Sequence, residues 1–168
     1  MYCNTKRRLH CIRQRRGIVE LGLDTGRAFS ALALARELAM TTYRSAREFG
    51  ERFDACAGAN AEFPVERYLQ HCGQQFAVAW RPERFLALSL SADLHRVNPR
   101  DIRVPTVFVA AEGDQVVPRS QTDALASQLG ASRTLIALET RYGHDAFLTE
   151  PEKIGRILAT TLAETFHD

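Results

Sequence analysis

An acid at position 114 and a histidine at position 144 are the side chains of this sequence best suited to move a proton in concert. Asp114 follows the apolar run Val104-Pro105-Thr106-Val107-Phe108-Val109-Ala110-Ala111 and the turn pair Glu112-Gly113. His144 follows a second run, Thr134-Leu135-Ile136-Ala137-Leu138, and the loop Glu139-Thr140-Arg141-Tyr142-Gly143. Both runs read as strands. Loops leaving the carboxyl ends of neighbouring parallel strands converge on one crevice, which would bring the two side chains together. A carboxylate on one imidazole nitrogen fixes the tautomer and stabilises the imidazolium formed when the other nitrogen takes a proton. Acid followed by His, in that chain order, is the second half of a nucleophile–acid–base set.

Two further residues bear on a substrate. Asp145, beside the His, would line the same crevice, and a carboxylate there suits an ammonium group. Arg36 interrupts an apolar stretch and shares a helical face with Met40 and Tyr43. It reads either as a surface arginine with its stem on apolar ground or as a bidentate carboxylate ligand. The first half of a catalytic set has no counterpart. Ser30, Ser45, Ser89, Ser91, Ser120, Ser127 and Ser132 all lack the glycine-framed elbow that exposes a nucleophilic serine.

The elements that must position these residues change character along the chain. Residues 1–16 hold six of the 22 basic residues and none of the 20 acids, and read as a disordered start or one foreign to the fold. The remainder is mildly acidic, which argues against nucleic-acid binding. Residues 17–98 read as helical. Ser45-Ala46-Arg47-Glu48 forms a capping box opening a helix in which Phe49 stacks on Phe53, and Gly58-Ala59-Asn60 breaks that helix. Pro64 starts another, and a further helix after Pro82 is expected to bury Phe85, Leu88 and Leu90. Residues 99–168 read as strand, helix, strand, helix, with Val104–Ala111 a strand covered on both faces and Thr149-Glu150-Pro151-Glu152 a capping box for the last helix. The expected class is α/β, with fewer strands than a doubly covered sheet needs.

Cys3, Cys11, Cys56 and Cys72 match no metal spacing and read as reduced thiols, so no metal site is expected. No apolar run approaches the ~20 residues of a membrane span. With no secretory h-region either, the expected compartment is the cytoplasm.

In context these residues resemble one family. Leu34-Ala35-Arg36-Glu37-Leu38-Ala39-Met40-Thr41-Thr42-Tyr43-Arg44-Ser45 is similar to the L-A-R…T-Y-R-S segment of the homoserine O-acyltransferases. The likeness continues through Val65–Leu69, Ser91–His95 and Gly113-Asp114 to Tyr142-Gly143-His144-Asp145-Ala146-Phe147-Leu148. The resemblance implies the C-terminal half of an α/β-hydrolase fold with a helical lid over residues 17–98. It implies ping-pong transfer of an acetyl or succinyl group from coenzyme A to homoserine or serine, in methionine or cysteine biosynthesis. It further implies acyl-CoA as donor, with no bound cofactor, and allows a homodimer joined through the lid. Asp114 would orient His144, His144 would act as base, Arg36 would hold the substrate carboxylate and Asp145 its amino group, with Tyr43 near the cleft. The family's nucleophile lies farther upstream of the residue matching Arg36 than this chain extends, which reads as a truncated form. Two other readings remain open: an esterase of the same fold, and a non-catalytic remnant or one half of a split enzyme.

Overall fold

In the computed structural model the chain is described over residues 6–53 and 63–165, and divides into two compact units. The first comprises residues 1–42 and 49–97; the second comprises 43–48 and 98–168. The expected Gly58-Ala59-Asn60 break, Cys3 and Cys56 lie outside the described residues.

The first unit is helical. Helix α1 spans Lys6–Asp24, α2 Ala28–Tyr43, α3 Ala46–Arg52, α4 Pro64–Ala79 and α5 Pro82–Leu94, with the ends of α2 and α3 nearest each other in sequence belonging to the second unit. Helix α1 takes in residues 6–16, part of the stretch that the sequence reads as a disordered start or one foreign to the fold. Its inward face carries Ile12, Arg16, Val19 and Leu23 at helical spacing, and the cation in that stripe is matched: Arg16 pairs with Asp93 and donates to the Ser89 carbonyl of α5 at 3.3 Å. Gly26, at φ 69°, ends α1 in the left-handed conformation that suits glycine.

Val19, Leu32, Ala33, Ala35 and Ala77 form the buried centre, against which Phe76, Trp80, Phe85 and Leu86 pack. Small side chains let backbones approach. A Cβ at Gly73 of α4 would stand 2.7 Å from the Ala33 carbonyl of α2, so only glycine fits there. Helix α4 opens on Pro64, and the Glu66 carboxylate accepts from the Phe63 N–H at 2.9 Å. Phe49 and Phe53 meet as expected, with centroids 5.6 Å apart. The expected burial of Leu88 and Leu90 is overturned: both are about half exposed. Phe85, Ser89 and Asp93 define the packed face of α5, and the two leucines lie off it.

The second unit is a β-α-β-α chain. Strand β1 (Thr106–Ala111) pairs parallel with β2 (Arg133–Leu138) in the register Thr106↔Arg133 to Ala111↔Leu138, and α6 (Arg119–Ala126) crosses between them. A 3-10 turn over Gly143–Asp145, then α7 (Ala146–Thr149) and α8 (Pro151–Thr165), complete it. Strand β1 is covered less than its sequence suggests: Ala110 is buried but Val109 is 39% exposed. The expected cap of the last helix also differs, because the Thr149 hydroxyl donates backward to the Asp145 carbonyl at 3.0 Å. Among the described residues no helix is long and apolar enough to cross a membrane, and no cluster of three or more His, Cys, Asp or Glu side chains could hold a metal.

Candidate active site

The acid and the base meet at the carboxyl ends of the two strands. After Ala111 the chain donates once more to its neighbour, from the Glu112 N–H to the Leu138 carbonyl, and then turns at Gly113, φ 68°. This turn aims Asp114 across the strand ends. Its Oδ1 accepts from the Val116 and Val117 N–H groups at 2.7 and 2.8 Å. Its Oδ2 lies 2.9 Å from His144 Nδ1. The carboxylate is thus divided: one oxygen is held by backbone and the other orients the imidazole. With Nδ1 occupied, Nε2 is the nitrogen left to take a proton from a reacting group. The Asp114 side chain is only 9% exposed, whereas that of His144 keeps 29% of its surface exposed.

The loop bearing His144 is fixed from several sides. Thr140 Oγ1 accepts from the Tyr142 N–H at 3.1 Å, and Gly143 stands at φ 67°. A Cβ on Gly143 would lie 3.1 Å from the Ser45 nitrogen and 3.2 Å from the Gly113 carbonyl oxygen, so the turn is packed as well as strained for any other residue. At the head of α8, Lys153 donates to the Glu139 carbonyl and pairs with Glu150. The Glu150 carboxyl is held below the usual carboxylate range, first by the Lys153 hydrogen bond and then by that of Thr140.

Residues 43–48, although they follow a helix of the first unit, pack within the second. The Tyr43 ring lies 5.4 Å from that of His144, inclined by 51°. Ser45 Oγ donates to the Arg141 carbonyl and accepts from the Glu48 N–H at 3.0 Å, so the expected cap at Ser45 exists and also reaches across to the base-bearing loop. Arg44 Nε stands 3.2 Å from Asp145 Oδ2, an ionic contact not aligned as a hydrogen bond, and its guanidinium carbon lies 5.7 Å from the centre of the Tyr142 ring. The sequence reading singled out Asp145 and missed Arg44. The only signal for Arg44 was its place between Tyr43 and Ser45.

A cavity of about 590 Å³ opens beside Gly113, Asp114, Arg119 and Glu139, outside the carboxyl ends of both strands. Of the four anticipated site residues, the structure brings Asp114, His144 and Asp145 into one unit. Arg36 stands on α2 in the other, its guanidinium carbon 5.3 Å from the centre of the Phe76 ring. Among the described residues the arrangement is a carboxylate–imidazole pair suited to moving a proton.

No protein-family model matches the chain. It is 43% identical over 137 residues to the homoserine O-succinyltransferase of Xanthomonas campestris pv. campestris, an alignment covering 80% of this chain and 37% of that protein. It is 29% identical over 136 residues to the homoserine O-acetyltransferase of Chlorobaculum tepidum, covering 76% of the chain and 38% of that relative. Among solved structures, the homoserine O-acetyltransferase from Staphylococcus aureus superposes with a TM-score of 0.67 at 23% identity, over 90% of this chain and 46% of that one. Esterase E22 superposes with a TM-score of 0.73 at 12% identity, over 88% and 48% respectively. The chain therefore spans well under half the length of the curated relatives it matches, and its fold is part of an α/β-hydrolase fold.

Proposed function

Since the chain is a partial-length relative of the homoserine O-acyltransferases, we propose that it carries the acid–base half of an acyl-transfer site acting on homoserine or serine. The observation that supports this most directly is the 2.9 Å contact between Asp114 Oδ2 and His144 Nδ1. In this reading a serine carried outside these 168 residues attacks the thioester of acetyl- or succinyl-CoA. Its proton passes to His144 Nε2 and then to the departing thiol, leaving a seryl ester and free coenzyme A. His144 next takes the proton of the amino acid's hydroxyl as that oxygen attacks the ester, and the serine leaves with the proton. Asp114 orients His144 through both steps. Arg36 holds the acceptor's carboxylate and Asp145 its ammonium group, roles supported by the resemblance alone. Formation of the O-acyl amino acid would then be a step of methionine or cysteine biosynthesis.

The test combines the purified chain with the portion of the Xanthomonas relative that it does not cover, produced separately. Acetyl- or succinyl-CoA is supplied with homoserine or serine, and thiol release is followed. Turnover that needs the acceptor and falls at least a hundredfold in His144→Ala is the expected result, a loss of about the size of a general-base contribution. Cleavage of simple esters without any need for acyl-CoA would make the site an esterase. Association of the two parts without either activity would make this chain a non-catalytic remnant.

A further inference from the structure

The base-bearing loop is held by a short segment lying almost 100 residues earlier in the chain. Every residue of Tyr43–Ser45 touches it. Tyr43 packs on the His144 ring, Arg44 reaches Asp145 and Tyr142, and Ser45 bonds the Arg141 carbonyl. Arg44 is the distinctive member, because it engages residues on both sides of His144 at once. Its side chain is only 14% exposed and that of Asp145 only 9%, so the two charges are largely removed from water and depend on each other. A buried carboxylate stripped of its partner is costly, and movement of its loop toward water relieves that cost at the expense of the loop's geometry.

We propose that Arg44 is a positioning residue: through Asp145 and Tyr142 it sets the orientation in which His144 presents Nδ1 to Asp114. The inference rests on the reading of His144 as the base. It also refines the part given to Asp145, since Arg44 occupies its Oδ2 and a substrate ammonium would share the carboxylate with a resident cation. Asp114 and Tyr43 contact the imidazole itself, and Arg44 lies against its neighbours in the loop. Arg44 contacts both residues flanking the Gly143-His144 turn, Tyr142 and Asp145.

The test needs no turnover. In the full chain with 15N-labelled histidine, the His144 ring shifts give the tautomer, and exchange of its Nδ1–H with solvent gives the strength of the bond to Asp114. The expected result is a single Nδ1–H tautomer with slow exchange in the parent. In Arg44→Gln exchange quickens roughly tenfold or more, the loss expected when a charge-assisted contact fails. Asp145→Asn should do the same, and Arg44→Lys should recover much of the difference. A folded Arg44→Gln with unchanged tautomer and exchange overturns the proposal. Should that variant not fold, unchanged exchange in Asp145→Asn overturns it instead. A normal parent signal in a chain that never supports acyl transfer would sink the functional reading and leave this one standing.

Discussion

Asp114 shows how much a single side chain is asked to do. Two backbone donors on Oδ1 leave its orientation no freedom, so Asp114→Asn should place its carbonyl oxygen on Val116 and Val117 and turn its amide group toward His144. The imidazole must then accept at Nδ1 and carry its proton on Nε2, the nitrogen that the proposed transfer needs free. We expect Asp114→Asn to unfold at nearly the parent temperature while losing acyl transfer in the reconstituted assay by ~10⁴-fold, the cost of a wrong tautomer. A loss under tenfold would mean that Asp114 does not fix the tautomer. Glu150 makes a second prediction. The folded chain holds the Glu150 proton less tightly than the unfolded chain does, because Lys153 and Thr140 bond the carboxylate. Its stabilisation is therefore complete above the ordinary value of 4.5 and fades as pH falls through the lowered folded one. Thermal unfolding of Glu150→Gln should match the parent at the acid end and fall below it toward neutrality. Asp114 and His144 were legible in the sequence because each follows a strand at a turn glycine. The Arg44–Asp145 contact was not, since nothing local in either segment reports the other.

Among the elements, the two strands and the helices from Ala28 onward followed from apolar spacing, proline at helix starts and glycine at turns. Helix α1 did not, because Arg16 occupies a place in its inward stripe and the compensating Asp93 lies far along the chain. Periodicity sees a charge on the buried face and breaks. Leu88 and Leu90 failed for the converse reason: the helix has two apolar sides, and the sequence does not say which one is used. Two glycines separate backbone cost from packing cost. Gly17 lies inside α1 with nothing within 4 Å of an added Cβ, so Gly17→Ala should stabilise by about 0.5–1 kcal/mol. Gly73→Ala gains the same propensity but drives a methyl group to 2.7 Å from the Ala33 carbonyl, for a net loss of roughly 1–3 kcal/mol. Denaturant unfolding of the two variants should move in opposite directions. Equal shifts would mean that α2 and α4 do not touch at Gly73.

For the molecule as a whole, the shortfall in strands visible from the sequence matches a chain that spans 37% of its Xanthomonas relative. A parallel pair is ordinarily covered on both faces. Here Val104, Val109, Leu158 and Leu162 in the second unit, and Leu88, Leu90 and Leu94 in the first, stand between 39% and 68% exposed. Apolar surface on that scale promotes association. The purified chain should sediment as a concentration-dependent mixture and bind a hydrophobic dye, and both signals should fall when the complementary part of the Xanthomonas relative is added. A monodisperse, dye-silent chain would show that these side chains are tolerated in water. What the sequence could not convey is that residues 43–48 belong with a unit whose other members begin at Asn98.

That interleaving has a kinetic side. The β1–α6–β2 crossover closes over a few tens of residues, whereas the bond from Ser45 to the Arg141 carbonyl joins positions 96 residues apart. Bringing distant segments together costs more chain entropy, and such contacts tend to form after local ones. The strands can thus pair, and Asp114 can find its two backbone donors, before the His144 loop acquires its brace. On that order of events the sheet is settled first and the brace on the His144 loop last, and slow folding variants should be sought near Ser45 rather than in the sheet.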